Sequence, residues 1–246
     1  MKALILAAGY ATRLYPLTKE YPKPLLEVGG KPLINYIVEK LSRIKDIDEI
    51  IIVTNSKFIS KFRHWAKTLK VRKPLRLVDD LTKNYSDRRG AIGDMYFVIR
   101  KEKISDDLLI IGGDNLFDGD LKKLIVFARK GKPRTVIGVY DIKEKSSAVK
   151  YGVIKLDAQK RVVDFKEKPK IPASTLVAMC LYYFPKEKLG LISEYMRAGT
   201  HTHDATGFYI NWLKDREDIF AYIYDGHWYD IGDLKFYQRA NKHFTK

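Results

Sequence analysis

The sequence predicts an α/β fold, a doubly wound, mostly parallel, Rossmann-like sheet with additional antiparallel strands in its second half. Three observations carry this expectation. Short apolar runs without polar alternation recur through the first half, as in strands buried on both faces. Amphipathic stretches at helical spacing separate them, and a strand–helix–strand order with right-handed crossovers gives a parallel sheet. The second half changes to apolar runs divided by short turns, a more antiparallel pattern.

Leu4–Ala8 is the first expected strand. The helix Pro32–Ile44 follows, with Leu33, Ile37, Leu41 and Ile44 on one face. Glu49–Thr54 is a second buried strand and Lys57–Leu69 a second helix. Leu75–Val78 is a weak third strand, Ala91–Ile99 a helix and Leu108–Ile111 a fourth strand. Thr135–Tyr140, Gly152–Leu156, Val162–Lys166 and Leu176–Phe184 read as the later strands. Helices return at Lys186–Met196, Ala205–Lys214 and Asp233–His243. No repeat, low-complexity tract or Pro/Gly/Ser-rich linker divides residues 1–246, so one continuous domain is expected.

Composition narrows the function. The 246 residues carry 46 Lys and Arg against 30 Asp and Glu, a formal charge of +16, and 46% of residues are hydrophobic. That apolar fraction excludes intrinsic disorder. No apolar run reaches the roughly 20 residues of a membrane-spanning helix. The N-terminal apolar stretch is too short for a signal peptide and reads as a strand, which makes a cytoplasmic protein the expectation. The single Cys180 excludes an intramolecular disulfide and a multi-cysteine metal site. The charge favours anionic partners: nucleic acid, an acidic membrane or phosphorylated small molecules.

The most informative segment runs from Leu6-Ala7-Ala8-Gly9 through Tyr10-Ala11-Thr12-Arg13-Leu14 and Pro16-Leu17-Thr18 to Pro22-Lys23-Pro24-Leu25. Small residues after a buried strand let backbone N–H groups form a nest for phosphate. Arg13 adds a planar fork and Lys23 a point charge. Alone, each cation reads as a solvated turn residue; together, at the end of the first strand, they do not. Further on, Leu109-Ile110-Ile111-Gly112-Gly113-Asp114 delivers a carboxylate at a strand's C-terminal end, which reads equally as a metal ligand and, with Gly-Asp-Asn, as a turn.

These motifs resemble those of the sugar-1-phosphate nucleotidyltransferases, most closely the glucose-1-phosphate thymidylyltransferase and uridylyltransferase branch. The resemblance covers nearly the whole chain. It implies a nucleotide-binding half, 1–120, and a sugar-phosphate half, 121–246, with no appended β-helical acyltransferase of the kind some relatives carry. By resemblance, Ala7, Ala8, Gly9, Thr12, Arg13, Lys23, Gly90 and Asp114 bind the nucleotide. Trp228-Tyr229-Asp230-Ile231-Gly232 resembles the element whose aspartate joins Asp114 on a Mg2+ ion, although Asp233 stands where the family usually has Thr. Asp233 is then the expected cap of the last helix, leaving Asp230 for the metal. Phe165-Lys166-Glu167-Lys168-Pro169 resembles the Glu-Lys-Pro motif, in which Glu167 holds sugar hydroxyls and Lys168 the sugar phosphate. Gly152 and Tyr182 match the strands of the sugar pocket, and Cys180 replaces the family's usual Gly. Arg13, Lys23 and Lys168 are the expected catalytic cations.

The base-reading segment, Val78-Asp79-Asp80-Leu81 and Arg88-Arg89-Gly90-Ala91-Ile92-Gly93-Asp94, departs most from the family. Gly90 is expected to approach the base, with no side-chain reader named. His201-Thr202-His203-Asp204 reads as a polar loop before a helix capped by Asp204, not as a zinc site, because further ligands are missing. The expected partners are a nucleoside triphosphate, with dTTP or UTP favoured, and a sugar-1-phosphate, with glucose-1-phosphate favoured. No nucleic acid and no membrane is expected; a homo-oligomer is compatible with the sequence. The alternatives are a cytidylyltransferase acting on another phosphorylated sugar or alcohol and, from other classes, a basic nucleic-acid-binding protein or a catalytically silent homologue. The charge alone suggests nucleic-acid binding, without a recognisable binding motif. Retention of Arg13, Lys23, Asp114, Lys168 and Asp230 argues against a silent homologue.

Overall fold

A computed structural model describes residues 1–130, 133–199, 202–232 and 234–244. His201 and Asp233, named above, lie outside the described residues. The chain opens with strand β1 (Lys2–Leu6), a 3-10 turn at Thr12–Leu14, a second at Lys23–Leu25, and the small strands β2 (Glu27–Val28) and β3 (Lys31–Pro32). Then follow α1 (Leu33–Ser42), β4 (Glu49–Thr54), α2 (Ile59–Thr68), β5 (Leu75–Asp79), a 3-10 turn at Tyr85–Asp87, α3 (Gly90–Lys101), β6 (Leu108–Gly112), β7 (Asn115–Phe117) and α4 (Leu121–Arg129). The second half contains β8 (Thr135–Asp141), α5 (Lys145–Ala148), β9 (Gly152–Leu156), β10 (Val162–Glu167) and β11 (Leu176–Phe184). It continues with α6 (Gly190–Arg197), α7 (Thr206–Leu213), β12 (Ile219–Tyr224), β13 (Trp228–Asp230) and α8 (Leu234–Phe244).

Both halves build one sheet, ordered β10-β9-β11-β6-β1-β4-β5, with β8 pairing β11 and β12. In its parallel part Leu4 stands between Ile51 of β4 and Ile110 of β6. Period-two alternation divides each strand between two cores. Ala3 and Ile5 face α1, α2 and α4 through Ile37, Phe62 and Leu124. Leu4 faces α3, α6 and α7 through Met95, Ile192 and Ile210. Apolar faces on both sides of the sheet cover these strands, which is why they read as unbroken apolar runs.

The first strand ends earlier than expected. Ala7 N–H still bonds Val53 carbonyl at 2.9 Å, and the chain then leaves the ladder, so Ala8 belongs to the following loop. Lys186–Lys188 is a 3-10 turn ahead of α6, not the start of that helix. Besides the two-residue strands β2 and β3 and the one-turn α5, four elements were missed. Two are the short β7 and β13, which pair with each other. The third is α4, whose Leu121, Leu124, Ile125 and Ala128 are buried at helical spacing behind an Asp120 cap. The fourth is β12, which runs parallel to β8, so the second half is not purely antiparallel.

Candidate active site

The loop after β1 is tied down from behind. Asn55 Nδ2 donates to Ala8 carbonyl at 2.8 Å, and Thr18 Oγ1 to Ala11 carbonyl at 2.7 Å. With those carbonyls held, no described group accepts from the backbone N–H groups of Gly9, Tyr10, Ala11 and Thr12. A Cβ at Gly9 would meet nothing within 4 Å, so the space above this nest is open. The loop lines a cavity of about 520 Å³ together with Arg13, Lys23, Gly90, Asp114, Lys168 and Asp230. Ala8, Gly9 and Thr12 line it too. Ala7, expected to bind nucleotide, does not: it is buried and its N–H is spent on Val53.

A second cavity of about 320 Å³ adjoins the first, and the two share Asp114, Asp230, Lys150, Lys168, Cys180 and Asp204. Its own walls include Gly152, Glu167 and Tyr182, the three residues expected at the sugar. The sequence reading therefore named residues at both cavities and at their seam.

The seam is built by the β7–β13 ribbon. Its register sets Asp230 opposite Asn115, immediately after Asp114. Asn115 braces the junction: its Nδ2 donates to Met179 carbonyl at 2.5 Å, and Trp228 Nε1 donates to its Oδ1 at 2.7 Å. Lys23 Nζ pairs with Asp114 Oδ2 at 2.6 Å. Burial and then the Asp114 charge raise the Asp230 carboxyl to about 6, while Lys23, Arg13 and Lys168 act in the opposite direction. A pair of neighbouring carboxylates, one of them desolvated, is an oxygen-donor set that a divalent cation would relieve. Among the described residues no group of three or more His, Cys, Asp or Glu could hold a metal. The donor set therefore fits Mg2+, which takes one or two protein carboxylates and keeps its waters, and does not fit a zinc cage.

At the sugar side the decisive feature is space. β10 lays Glu167 opposite Gly152 of β9. A Cβ on Gly152 would stand 2.9 Å from Phe165 Cε1 and 3.2 Å from Glu167 Oε2. One on Gly207, in α7, would overlap Glu167 Oε2 and reach 2.6 Å from Phe165 Cε1. Two glycines on different elements thus make the slot that holds the Glu167 carboxylate. Lys168 follows with φ 44° and its Nζ 3.2 Å from Glu167 Oε1. Tyr182 OH donates to Thr206 Oγ1 at 2.5 Å. Sequence reasoning missed Gly207, Thr206 and Lys150; the first two sit in a polar-to-helix junction that local spacing does not single out.

Cys180 occupies a bulge in β11, where pairing to β8 shifts between Ala178 and Tyr182. Its φ of +51° is a conformation that glycine adopts without strain, which accounts for the family's usual residue there. Burial, with the charges of Asp114 and Asp230, pushes the thiol up to about 12, so it stays protonated and inert.

One expectation is corrected at the nucleoside end. Asp204 does not cap α7, whose N-cap is Ala205 without a side-chain bond. Its carboxylate instead takes Arg88 Nη2 at 2.7 Å. Gly90 lines the cavity, but its glycine is demanded by protein backbone: φ is +75°, and a Cβ would lie 2.8 Å from Asp204 Cα. The carbonyls of Asp204 and His203 also take the N–H groups of Ala91 and Ile92. The side-chain wall here is Tyr10, Asp80, Tyr85, Arg88 and Asp94.

The family model described as nucleotidyl transferase matches residues 2–246. The bifunctional protein GlmU of Methanococcus aeolicus is 30% identical over the whole chain, which covers 55% of that relative. A Sulfolobus acidocaldarius protein described as a mannose-1-phosphate guanyltransferase is 31% identical over 98% of the chain and 62% of its own length. The chain thus spans between half and two thirds of these relatives. A crystal structure from Bacillus anthracis, described as a glucose-1-phosphate thymidylyltransferase in complex with sucrose, shares the fold. Its TM-score is 0.79 at 24% identity, over 100% of this chain and 96% of that one. No helix among the described residues is long and apolar enough to cross a membrane. The match of that family model over residues 2–246 places this chain in the nucleotidyl transferase family.

Proposed function

We propose that the protein joins a nucleoside triphosphate to a sugar-1-phosphate, giving a nucleoside diphosphate sugar and pyrophosphate. The observation that carries this reading is the pair of contiguous cavities, one floored by a phosphate nest and one by Glu167 in its glycine slot, meeting at Asp114, Asp230 and Lys168. An oxygen of the sugar phosphate attacks the α-phosphorus in line; the bond from that phosphorus to the bridging oxygen breaks and pyrophosphate leaves. The attacking phosphate has a second pKa near 6 and is largely ionised at neutral pH, so it needs no general base. No His lines either cavity among the described residues.

The obstacle is bringing two anions together, and positioning with charge neutralisation overcomes it. Arg13 and the N–H groups of the first loop hold the triphosphate, and Lys23 neutralises its α/β region. Lys168 orients the sugar phosphate, Glu167 accepts from sugar hydroxyls, and Gly152 and Tyr182 shape that wall. Asp114 and Asp230 would hold Mg2+, which when bound stabilises charge on the phosphates. The proposed compartment is the cytoplasm.

Within this reading dTTP or UTP and glucose-1-phosphate are the proposed substrates, supported by the motif resemblance and by the name of the solved neighbour. Names of relatives also include guanyl- and adenylyltransferases. The second reading is a cytidylyltransferase acting on another phosphorylated sugar or alcohol, favoured by the acid-bearing base end. Pyrophosphate release, measured with each nucleoside triphosphate against a panel of sugar-1-phosphates, tests both. The largest rate is expected for dTTP or UTP with glucose-1-phosphate. Release only with CTP would select the second reading, and none with any pair would overturn the activity.

A further inference from the structure

No described residue of the C-terminal helix α8 lines either cavity, yet the helix joins the segments that meet at the seam. A small core, separate from the two that flank the sheet, gathers Leu14, Val28, Leu33, Leu116, Ile231 and Ala240, each at most 1% exposed. Three of these stand beside site residues in sequence. Leu14 follows Arg13, Leu116 comes two residues after Asp114, and Ile231 follows Asp230. Ala240 is the contribution of α8, and the half-buried Tyr237 packs on the same cluster.

Two hydrogen bonds tie the helix to the N-terminal segment. Tyr237 hydroxyl donates to Glu27 carbonyl at 2.7 Å, and Gly29 N–H donates to Asn241 Oδ1 at 3.1 Å. Glu27 and Gly29 belong to the β2–β3 hairpin, which follows the 3-10 turn that begins with Lys23. The other side of α8 packs on β13. The helix thus runs between the hairpin behind Lys23 and the strand that ends in Asp230.

This bridge matters because β13 is weak by itself. β7 follows two residues after β6, a central strand of the main sheet, and Asn115 ties it to β11 through Met179 carbonyl. β13 has three residues and pairs with β7 alone, outside the main sheet. A two-stranded ribbon of that length is marginal in water without packing behind it. At one end Trp228 is held by Asn115 Oδ1 and by the rings of Tyr140 and Tyr151, at 5.6 and 5.3 Å between centroids. At the other end Ile231 is held in the small core that α8 closes. Asp230 lies between these anchors, and like charge pushes it from Asp114, so packing has to impose its place.

We propose that Tyr237 and Asn241 are positioning residues: through them α8, from outside both cavities, holds Asp230 at the seam beside Asp114. This rests on the proposed reaction at that seam. The double variant Tyr237→Phe/Asn241→Leu removes both bonds and keeps the packing volume. Hydrogen exchange without ligand, and steady-state pyrophosphate release well below the melting temperature, compare it with the wild type. Amides of β13 should exchange about fivefold faster or more, with those of β1, β4 and β6 unchanged. The kcat should fall about tenfold at an unchanged KM for the nucleoside triphosphate. A helix that merely stabilises the fold would lower the melting temperature and leave kcat as it is. That result, or a lower kcat with β13 exchange unchanged, overturns the proposal. Tyr237→Phe alone carries the test if the double variant does not fold, with smaller changes of the same sign. If the wild type turns over no pair of substrates, the proposed reaction fails, and β13 exchange alone decides whether α8 holds this strand.

Discussion

The two ends of the cleft recognise by different means. The proposed nucleotide end offers charge and free backbone: the exposed Arg13, the buried Lys23 held by Asp114, and the N–H groups of one short loop after β1. The sugar end works with removed volume, since Glu167 fits only because Gly152 and Gly207 lack side chains. Phosphate groups tolerate a flexible, solvated grip because charge acts at a distance. Sugar hydroxyls need a carboxylate at a fixed place, and fixed places come from packing. The seam belongs to both, and there the largest effect is expected. Asp230→Asn should lower turnover about hundredfold or more. It should not lower the melting temperature, because a neutral isostere replaces a half-buried acid that faces the Asp114 charge. Pyrophosphate release and thermal melting check this, and near-normal turnover would remove Asp230 from the reaction.

If the sugar end depends on volume, adding one methyl group there should hurt only that end. Gly207→Ala forces Glu167 and Phe165 to move, Phe165 being 3% exposed and unable to swing into solvent. The expected result is a KM for the sugar phosphate raised about tenfold or more, with nucleotide affinity unchanged by calorimetry. Equal damage to both affinities would mean that the two ends are not separable.

The same contrast explains what could be read in the sequence. The nucleotide grip lies in one contiguous run from Ala8 to Lys23, so spacing and small residues expose it. Asp114 ends a plain apolar strand, and the parallel core strands declare themselves because both faces are buried. The sugar slot draws on Gly152, Glu167 and Gly207 from β9, β10 and α7, and only the fold places them together. The buried acids Asp80 and Asp94 escaped notice for a related reason. One member follows a strand and the other faces inward from a helix, and what unites them is shared burial. Ala7 was over-read for the opposite reason: it sits within the motif, but its N–H still belongs to the sheet. β12 was missed although Ile219–Tyr224 is β-branched or aromatic at every position but Ala221, because its partner β8 lies far away in sequence.

Asp94 also offers a smaller test, made without any ligand. Burial, then the Asp80 charge, raises its carboxyl from 3.8 to about 8 on folding. Between those values the folded chain holds a proton that the unfolded chain has released, so this group's contribution is fully present below about pH 4 and lost as pH rises through 8. Melting temperature should therefore fall across that interval more in wild type than in Asp94→Asn. At pH 8 the variant should melt higher, by about 2–4 °C for each kcal/mol regained. Parallel curves for the two proteins would show that Asp94 is not protonated in the fold.

The smallest effect is expected at Tyr182, where the comparison between charge and volume can be made most finely. Its motif match suggests a sugar contact. Its position suggests a wall: the residue is 1% exposed, its hydroxyl donates to Thr206, and its ring stacks on Phe184 at 6.1 Å between centroids. A hydroxyl already committed to Thr206 acts on the sugar by holding the start of α7, and so Gly207, in place. Tyr182→Phe and Thr206→Val should then cost about 1 kcal/mol of stability each. They should shift the sugar-phosphate KM by the same few-fold or less, and the double variant should do little more than either single one, because both remove one bond. A larger KM effect for Tyr182→Phe than for Thr206→Val would show instead that the phenol reaches the sugar directly.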